Sequence, residues 1–253
     1  MQAVGLVFSV HTKGHRSDQP ARCLAGLCAS LTLLLICPPC FGQDVEVFTG
    51  YQFDDRGEYF AYFGSRVSTT PTDWPVEPVL QLFAFRQRYF FTSQGHVLEA
   101  HLNQLTPSVG IAKKIGDLTL SALAGPTLQE TREATVDGRE RNTSDLGYTV
   151  QAEASYYTER DGFEGIVSYS NLKDFFFGRA RWKHDTFQIP AGHSIKSGLE
   201  LQSLGNSQFQ AVLFGGLLET AVGKLVLLIK GGYQYNTTFR SGEYGGIELY
   251  VPF

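Results

Sequence analysis

Apolar and polar residues alternate along almost the whole chain after residue 42. Segment 45–53 reads VEVFTGYQF, 57–68 reads GEYFAYFGSRVS and 79–91 reads VLQLFAFRQRYFF. A period of two is the mark of a β-strand whose faces meet different surroundings. The pattern recurs over 97–113, 118–130, 146–159, 163–172, 175–187, 194–204, 208–220, 224–235 and 243–253. Turn formers separate these runs: Asp54-Asp55-Arg56-Gly57, Ile115-Gly116-Asp117, a polar loop around Asp137-Gly138, Arg160-Asp161-Gly162, Lys173-Asp174, Gly205-Asn206 and Val222-Gly223. Pro107 has no N–H to give to a ladder, so it predicts a bulge or a break inside the fourth run.

Strand length selects the architecture. Most of these runs hold ten to fourteen residues, whereas strands of soluble domains cluster near ~5–6. A tilted strand needs ~9–11 residues to cross a bilayer. Lipid offers no partner to a backbone N–H or C=O, so only a sheet closed on itself can span it. The prediction is an all-β fold: an up-and-down transmembrane β-barrel of about 12 antiparallel strands over residues 43–253. Aromatic residues near strand ends, among them Tyr51, Phe53, Tyr59, Phe90, Phe91, Tyr156, Tyr157, Phe175, Tyr233 and Tyr235, suit interfacial girdles. A soluble periplasmic β-protein is the competing architecture, and a general porin is a competing function for the barrel.

Such a barrel turns its apolar face to lipid and its charged face inward. On that reasoning the polar lumen lining comprises Arg86, Arg88, Glu99, Glu153, Arg179, Arg181, Lys183, Glu200 and Glu248, with Glu46, Glu58, Arg66, His101, Lys196 and Lys230 beside them. Phe48, Tyr62 and Tyr250 share the inner parity and offer flat faces on which a sugar ring could stack. The lumen is then either a salt-bridged filling that stiffens the barrel or a wet channel. Unpaired buried charge is costly, so pairing or water has to be present. At the chain's end Ile247, Leu249, Val251 and Phe253 alternate outward up to a terminal Phe, a pattern that resembles an assembly signal read by barrel assembly machinery.

Composition changes the picture at the front of the chain. All four cysteines (Cys23, Cys28, Cys37, Cys40) precede residue 43, and Met1 is the single methionine. Lys13, Arg16 and Arg22 form a basic region ahead of the 13-residue, mostly apolar stretch 24–36, and Pro38-Pro39 then breaks the run. Residues 1–42 therefore read as a secretory signal peptide cut after Gly42, the apolar stretch being too short for an anchor. The full chain carries 21 Lys and Arg against 25 Asp and Glu, a net charge of −4. Losing the leader removes three cations and one anion, so the remainder is more acidic still. That balance excludes a general nucleic-acid binder.

Motifs for chemistry are sparse. His96, His101, His184 and His193 show no metal-ligand spacing, and no cofactor or metal is expected. Gly215-Gly216 and Gly231-Gly232 sit inside strand patterns and read as relief of crowding rather than phosphate loops. His193, Ser194 and Ser168 are the residues an outer-membrane lipid-modifying hydrolase would have to conscript, without any local signature of one. The chain is expected not to be an enzyme.

Four segments carry a family likeness: GYQFDDRGEYFAYFG (50–64), LTLSALAGPTLQE (118–130), SGLELQSLGNSQFQAVLFGGLLE (197–219) and YGGIELYVPF (244–253). They resemble the bacterial cellulose biosynthesis protein BcsS family over most of 47–253. The resemblance implies an accessory barrel of the bacterial outer membrane in cellulose or exopolysaccharide production and export, acting as channel or scaffold. Its implied partners are outer-membrane lipid, a glucan chain and the cellulose synthase machinery. It brings no catalytic residues.

Overall fold

Two-faced strands joined by short turns bury their backbone groups only when the last one meets the first, and here it does. The computed structural model describes residues 43–69, 75–189, 193–206, 209–237 and 241–253. The expected leader, residues 1–42, lies outside them. Twelve strands follow in order: β1 Gln43–Asp54, β2 Tyr59–Thr69, β3 Glu77–Ser93, β4 His96–Ile115, β5 Leu118–Ala134, β6 Glu140–Tyr157, β7 Asp161–Ser170, β8 Phe175–Ile189, β9 His193–Gly205, β10 Gln210–Val222, β11 Leu225–Asn236 and β12 Gly242–Pro252. Each is antiparallel to its neighbours, and β1 pairs with β12 through Val47↔Val251, Gly50↔Glu248 and Phe53↔Gly245 to close the barrel. Among the described residues no helix is long and apolar enough to cross a membrane.

The two faces differ sharply in exposure. Outward residues include Leu80, Val109, Leu146, Phe214, Ile229 and Ile247, all large, apolar and exposed. Inward residues include Gln81, Thr127, Arg181, Glu200 and Lys230, all polar and buried. This inverts the arrangement of a soluble domain and is what a closed sheet in hydrocarbon requires. Trp182, Phe163 and Phe253 mark the outer face near the end where β1 begins and β12 stops; Phe53, Tyr148, Tyr233 and Tyr235 mark it near the opposite, distal end.

Two expectations need correction. Residues around Asp137-Gly138 were expected to form a loop from 131 to 145, but β5 runs on to Ala134 and β6 starts at Glu140. Both faces are polar in that stretch because it projects past the apolar belt, so hydropathy alternation fades while the backbone pairing does not. Pro107 neither bulges the strand nor splits it. The β4–β5 ladder runs Leu105↔Leu128 and resumes at Val109↔Ala124 in unchanged register, so the missing N–H interrupts the pairing locally.

Strand length is uneven. β3 to β6 hold 17, 20, 17 and 18 residues, well beyond the ~9–11 a crossing needs. The surplus lies at the distal end. β6 outlasts β7, whose last pair is Thr149↔Ser170, and β3 outlasts β2, whose first pair is Tyr59↔Arg88. The β3–β4 and β5–β6 hairpins thus stand above the distal rim. The adjoining β1–β2 turn is tied down by Arg56, which donates to Asp54 Oδ2 from Nε at 2.7 Å, while the Phe90 N–H donates to Glu58 Oε1 at 3.0 Å.

Candidate functional site

The inner wall of β7 to β12 carries a continuous set of paired charges. Arg181 on β8 donates from Nε to Glu200 Oε2 at 2.5 Å, and from Nη1 and Nη2 to the two oxygens of Glu248 at 2.8 and 2.6 Å. Lys230 on β11 reaches the same carboxylates, at 3.1 Å from Glu200 and 2.9 Å from Glu248. Gln202 donates to Glu200 as well. Toward the other end of the wall Lys183 bridges Glu164 and Glu219, the latter at 2.6 Å. Glu200 is 0% exposed, Arg181 5% and Lys230 7%. Bidentate guanidinium–carboxylate geometry, with Glu200 and Glu248 each shared by Arg181 and Lys230, is the arrangement that offsets the cost of drying such groups.

Local sequence makes room for this cluster. In the pairing register Lys183 faces Gly162 and Gly198, Glu200 faces Gly215, Lys230 faces Gly246 and Glu248 faces Gly50. A side chain absent from the neighbouring inward position lets the long charged chain lean across to the next strand but one. Gly50 serves a second purpose: the Tyr62 ring lies over it, and a Cβ there would sit 2.5 Å from that ring. Because Gly50 is the register partner of Glu248, the Tyr62 ring over it joins the charged wall to the aromatic one.

The aromatic wall belongs to β1, β2 and β3. Phe48 lies over Gly64, stacks on Phe83 at 6.3 Å, and Tyr62 meets Phe83 at 5.9 Å and Phe60 meets Phe85 at 5.1 Å. The third wall, β4 to β6, is a hydroxyl ladder, with Thr106 to Thr127 at 3.2 Å and Thr127 to Thr149 at 2.7 Å. Beside it Glu153 receives Arg66, Ser121 and Gln151. Three unlike walls thus line the interior.

The proposed lumen residues divide between two places. Glu153, Arg179, Arg181, Lys183, Glu200 and Glu248 share the inner face, and Arg179 stands 3.9 Å from Glu248. Arg86, Arg88 and Glu99 do not: they lie on the outer face with Ala84 and Leu105, while Phe83, Phe85 and Tyr89 point inward. The correction has a physical reason. Their rows, Arg86↔Asn103 and Arg88↔His101, come directly above the apolar row Ala84↔Leu105↔Leu128↔Leu146, where the wall leaves the belt and its outer face meets water. Glu99 pairs there with Arg88 Nε at 2.9 Å and His101 at 2.8 Å. Glu164 and Glu219 were missed; the available signal was their strand parity, opposite to the exposed Phe163 and Leu218. Ile247, Leu249 and Val251 occupy the outer face of β12, and Phe253, one residue past its end, is exposed. Ser168 and Ser194 share the inner parity, away from lipid. Among the described residues no group of three or more His, Cys, Asp or Glu is placed to hold a metal ion.

Comparison with known proteins adds the following. The model of a family described as cellulose biosynthesis protein BcsS matches residues 46–253. No curated protein matches the chain. Among solved structures, the translocator domain of autotransporter NalP from Neisseria meningitidis is similar with a TM-score of 0.48 and 12% identity, over 92% of this chain and 96% of that one. The β domain of the Bordetella autotransporter BrkA gives 0.44 and 12%, over 84% and 98%. The KdgM porin gives 0.42 and 8%, over 82% and 99%.

Proposed function

The chain belongs to the cellulose biosynthesis protein BcsS family, and from that premise we propose that it is a closed outer-membrane scaffold of the cellulose machinery rather than a permanently open pore. The observation that supports this reading is the buried cluster of Arg181, Glu200, Lys230 and Glu248, with the Tyr62 ring over the adjacent Gly50. An open aqueous channel would hydrate these side chains, yet they are dry and satisfy one another. The exposed apolar outer face supports residence in lipid. Insertion by barrel assembly machinery through the outward row Ile247, Leu249, Val251 and Phe253 is part of the same reading, as is contact of the projecting β3–β6 hairpins with a glucan chain or with synthase components.

The proposal is tested in a cellulose-producing cell from which the protein is removed. Cellulose delivered to the surface is expected to fall while synthase activity in isolated inner membranes persists, with recovery on supplying the wild-type barrel. Unchanged surface cellulose would overturn the proposal.

A further inference from the structure

One row of the outer face has a different character from the lipid belt beneath it. Asp161 on β7 pairs in register with His184 on β8, and His184 pairs with Ser197 on β9. All three side chains share the outer parity, set by Phe163, Trp182 and Leu199 in the adjacent row, each of them exposed. Asp161 Oδ1 lies 2.9 Å from His184 Nδ1 and also accepts the Trp182 indole N–H at 3.1 Å. A carboxylate can only accept, so Nδ1 carries the proton, and in the neutral imidazole Nε2 keeps its lone pair, the tautomer of a general base. The imidazole rests against the Trp182 ring at 6.1 Å and 29°, and its side chain is 42% exposed.

The next strand supplies a hydroxyl. Directly paired residues of antiparallel strands have Cβ atoms about 4.5–5.5 Å apart, so Ser197 stands within a side-chain rotation of His184. In this structure Ser197 Oγ is bonded to Thr186 Oγ1 at 2.6 Å, and Thr186 donates to the His184 carbonyl at 3.1 Å. The β8–β9 ladder shifts register between Asp185 and Phe187, which makes Thr186 the extra residue of a bulge beside the row. Bulges re-aim side chains and gather next to active sites.

We propose that Asp161, His184 and Ser197 form an acyl-ester hydrolase site on the lipid-facing surface, acting on carboxylic esters of membrane lipids. This activity is independent of the closed lumen. The location suits it, because the row sits where Trp182 and Phe163 mark the edge of the belt, and ester carbonyls of lipids lie at that depth. In the step proposed, Ser197 turns from Thr186 to His184 and its O–H proton passes to Nε2 as Oγ bonds to the ester carbonyl carbon. The carbonyl–alkoxy bond breaks, and the departing lyso-lipid alcohol takes the proton from Nε2. Water, deprotonated by the same nitrogen, then attacks the acyl-serine. The fatty acid leaves and Ser197 recovers its proton. Asp161 positions the imidazole and stabilises its charged form.

The test uses the folded barrel in detergent micelles with a phospholipid carrying a fluorogenic acyl ester, together with a fluorophosphonate that labels activated serines. Wild type is expected to release fatty acid and to take up label on Ser197. Ser197→Ala and His184→Ala are expected to lower turnover at least 100-fold and to abolish labelling, and Asp161→Asn to lower it at least 10-fold. Heat-modifiable gel migration verifies that each variant is folded, as these outer-rim side chains lie outside the interior packing. Absence of turnover and label in folded wild type, or equal turnover by Ser197→Ala, would overturn the proposal.

Discussion

Two parts of this barrel carry arginine–glutamate pairs, and they do opposite things. On the inner wall of β8 to β12, Arg181 is held between Glu200 and Glu248 with its side chain 4% exposed. On the projecting hairpins, Arg88 meets Glu99 on the outer face with side chains 35% and 37% exposed. The residue types are the same. What differs is the height of each row relative to the apolar belt. Inside the belt a charge has to face inward and be paired; above it the outer face is as wet as any protein surface. A charged position in a barrel strand therefore reports its face only after the edge of the belt is known.

The widest gap between the two regions should come from removing one partner. Glu248→Ala leaves Arg181 and Lys230 in a dry interior without one of their carboxylates, and a loss of about 3–5 kcal/mol is expected. Glu99→Ala on the hairpin should cost at most about 1 kcal/mol. Reversible urea unfolding in detergent or lipid measures both, and equal losses would erase the distinction. Lipid-facing substitutions sharpen the position of the belt edge. Ile229→Arg, placed between Leu218 and Ile247 on the outer face, should cost about 2–4 kcal/mol, whereas Asn103→Arg in the first polar row of the hairpins should cost about 0–1 kcal/mol. A similar cost at both positions would place the belt edge wrongly.

A smaller effect is expected at two adjacent glycines that face opposite ways. A Cβ on inward Gly215 would lie 2.3 Å from the Gly231 carbonyl oxygen and 2.5 Å from the Tyr244 hydroxyl, while one on outward Gly216 would meet nothing nearer than 3.8 Å. Gly215→Ala should destabilise by about 1–3 kcal/mol through overpacking, and Gly216→Ala should be close to neutral. The same unfolding assay reads both, and an equal response would contradict the assigned faces.

Much of this architecture was legible in the sequence, for a definite reason. Within the belt the two solvents of the strand, lipid and lumen, are chemically unlike, so VQAEA (150–154) or LELQ (199–202) alternates as it must. The turns were legible where backbone geometry demands special residues, as at Gly57, Gly116 and Gly223, whose φ angles are +86°, +60° and +63°. Legibility failed where the two solvents become the same. Residues 132–134 and 140–145 have polar side chains on both faces above the belt, so they read as loop although they are paired strand, and Arg86, Arg88 and Glu99 read as interior for the same reason. Pairing partners were illegible too: that Arg181 would meet Glu248, 67 positions later, depends on barrel closure and not on any local pattern. The row Asp161, His184 and Ser197 escaped detection likewise, since register alone brings three distant segments side by side.

The central claim is that this barrel's interior is sealed by its own paired side chains. Single-channel recording of the purified protein in planar bilayers tests it most directly. The account predicts insertion without steady conductance in the wild type, and ion-conducting openings when Arg181, Lys230 and Tyr62 are together replaced by Ala. Large, long-lived openings of the wild-type barrel would contradict it.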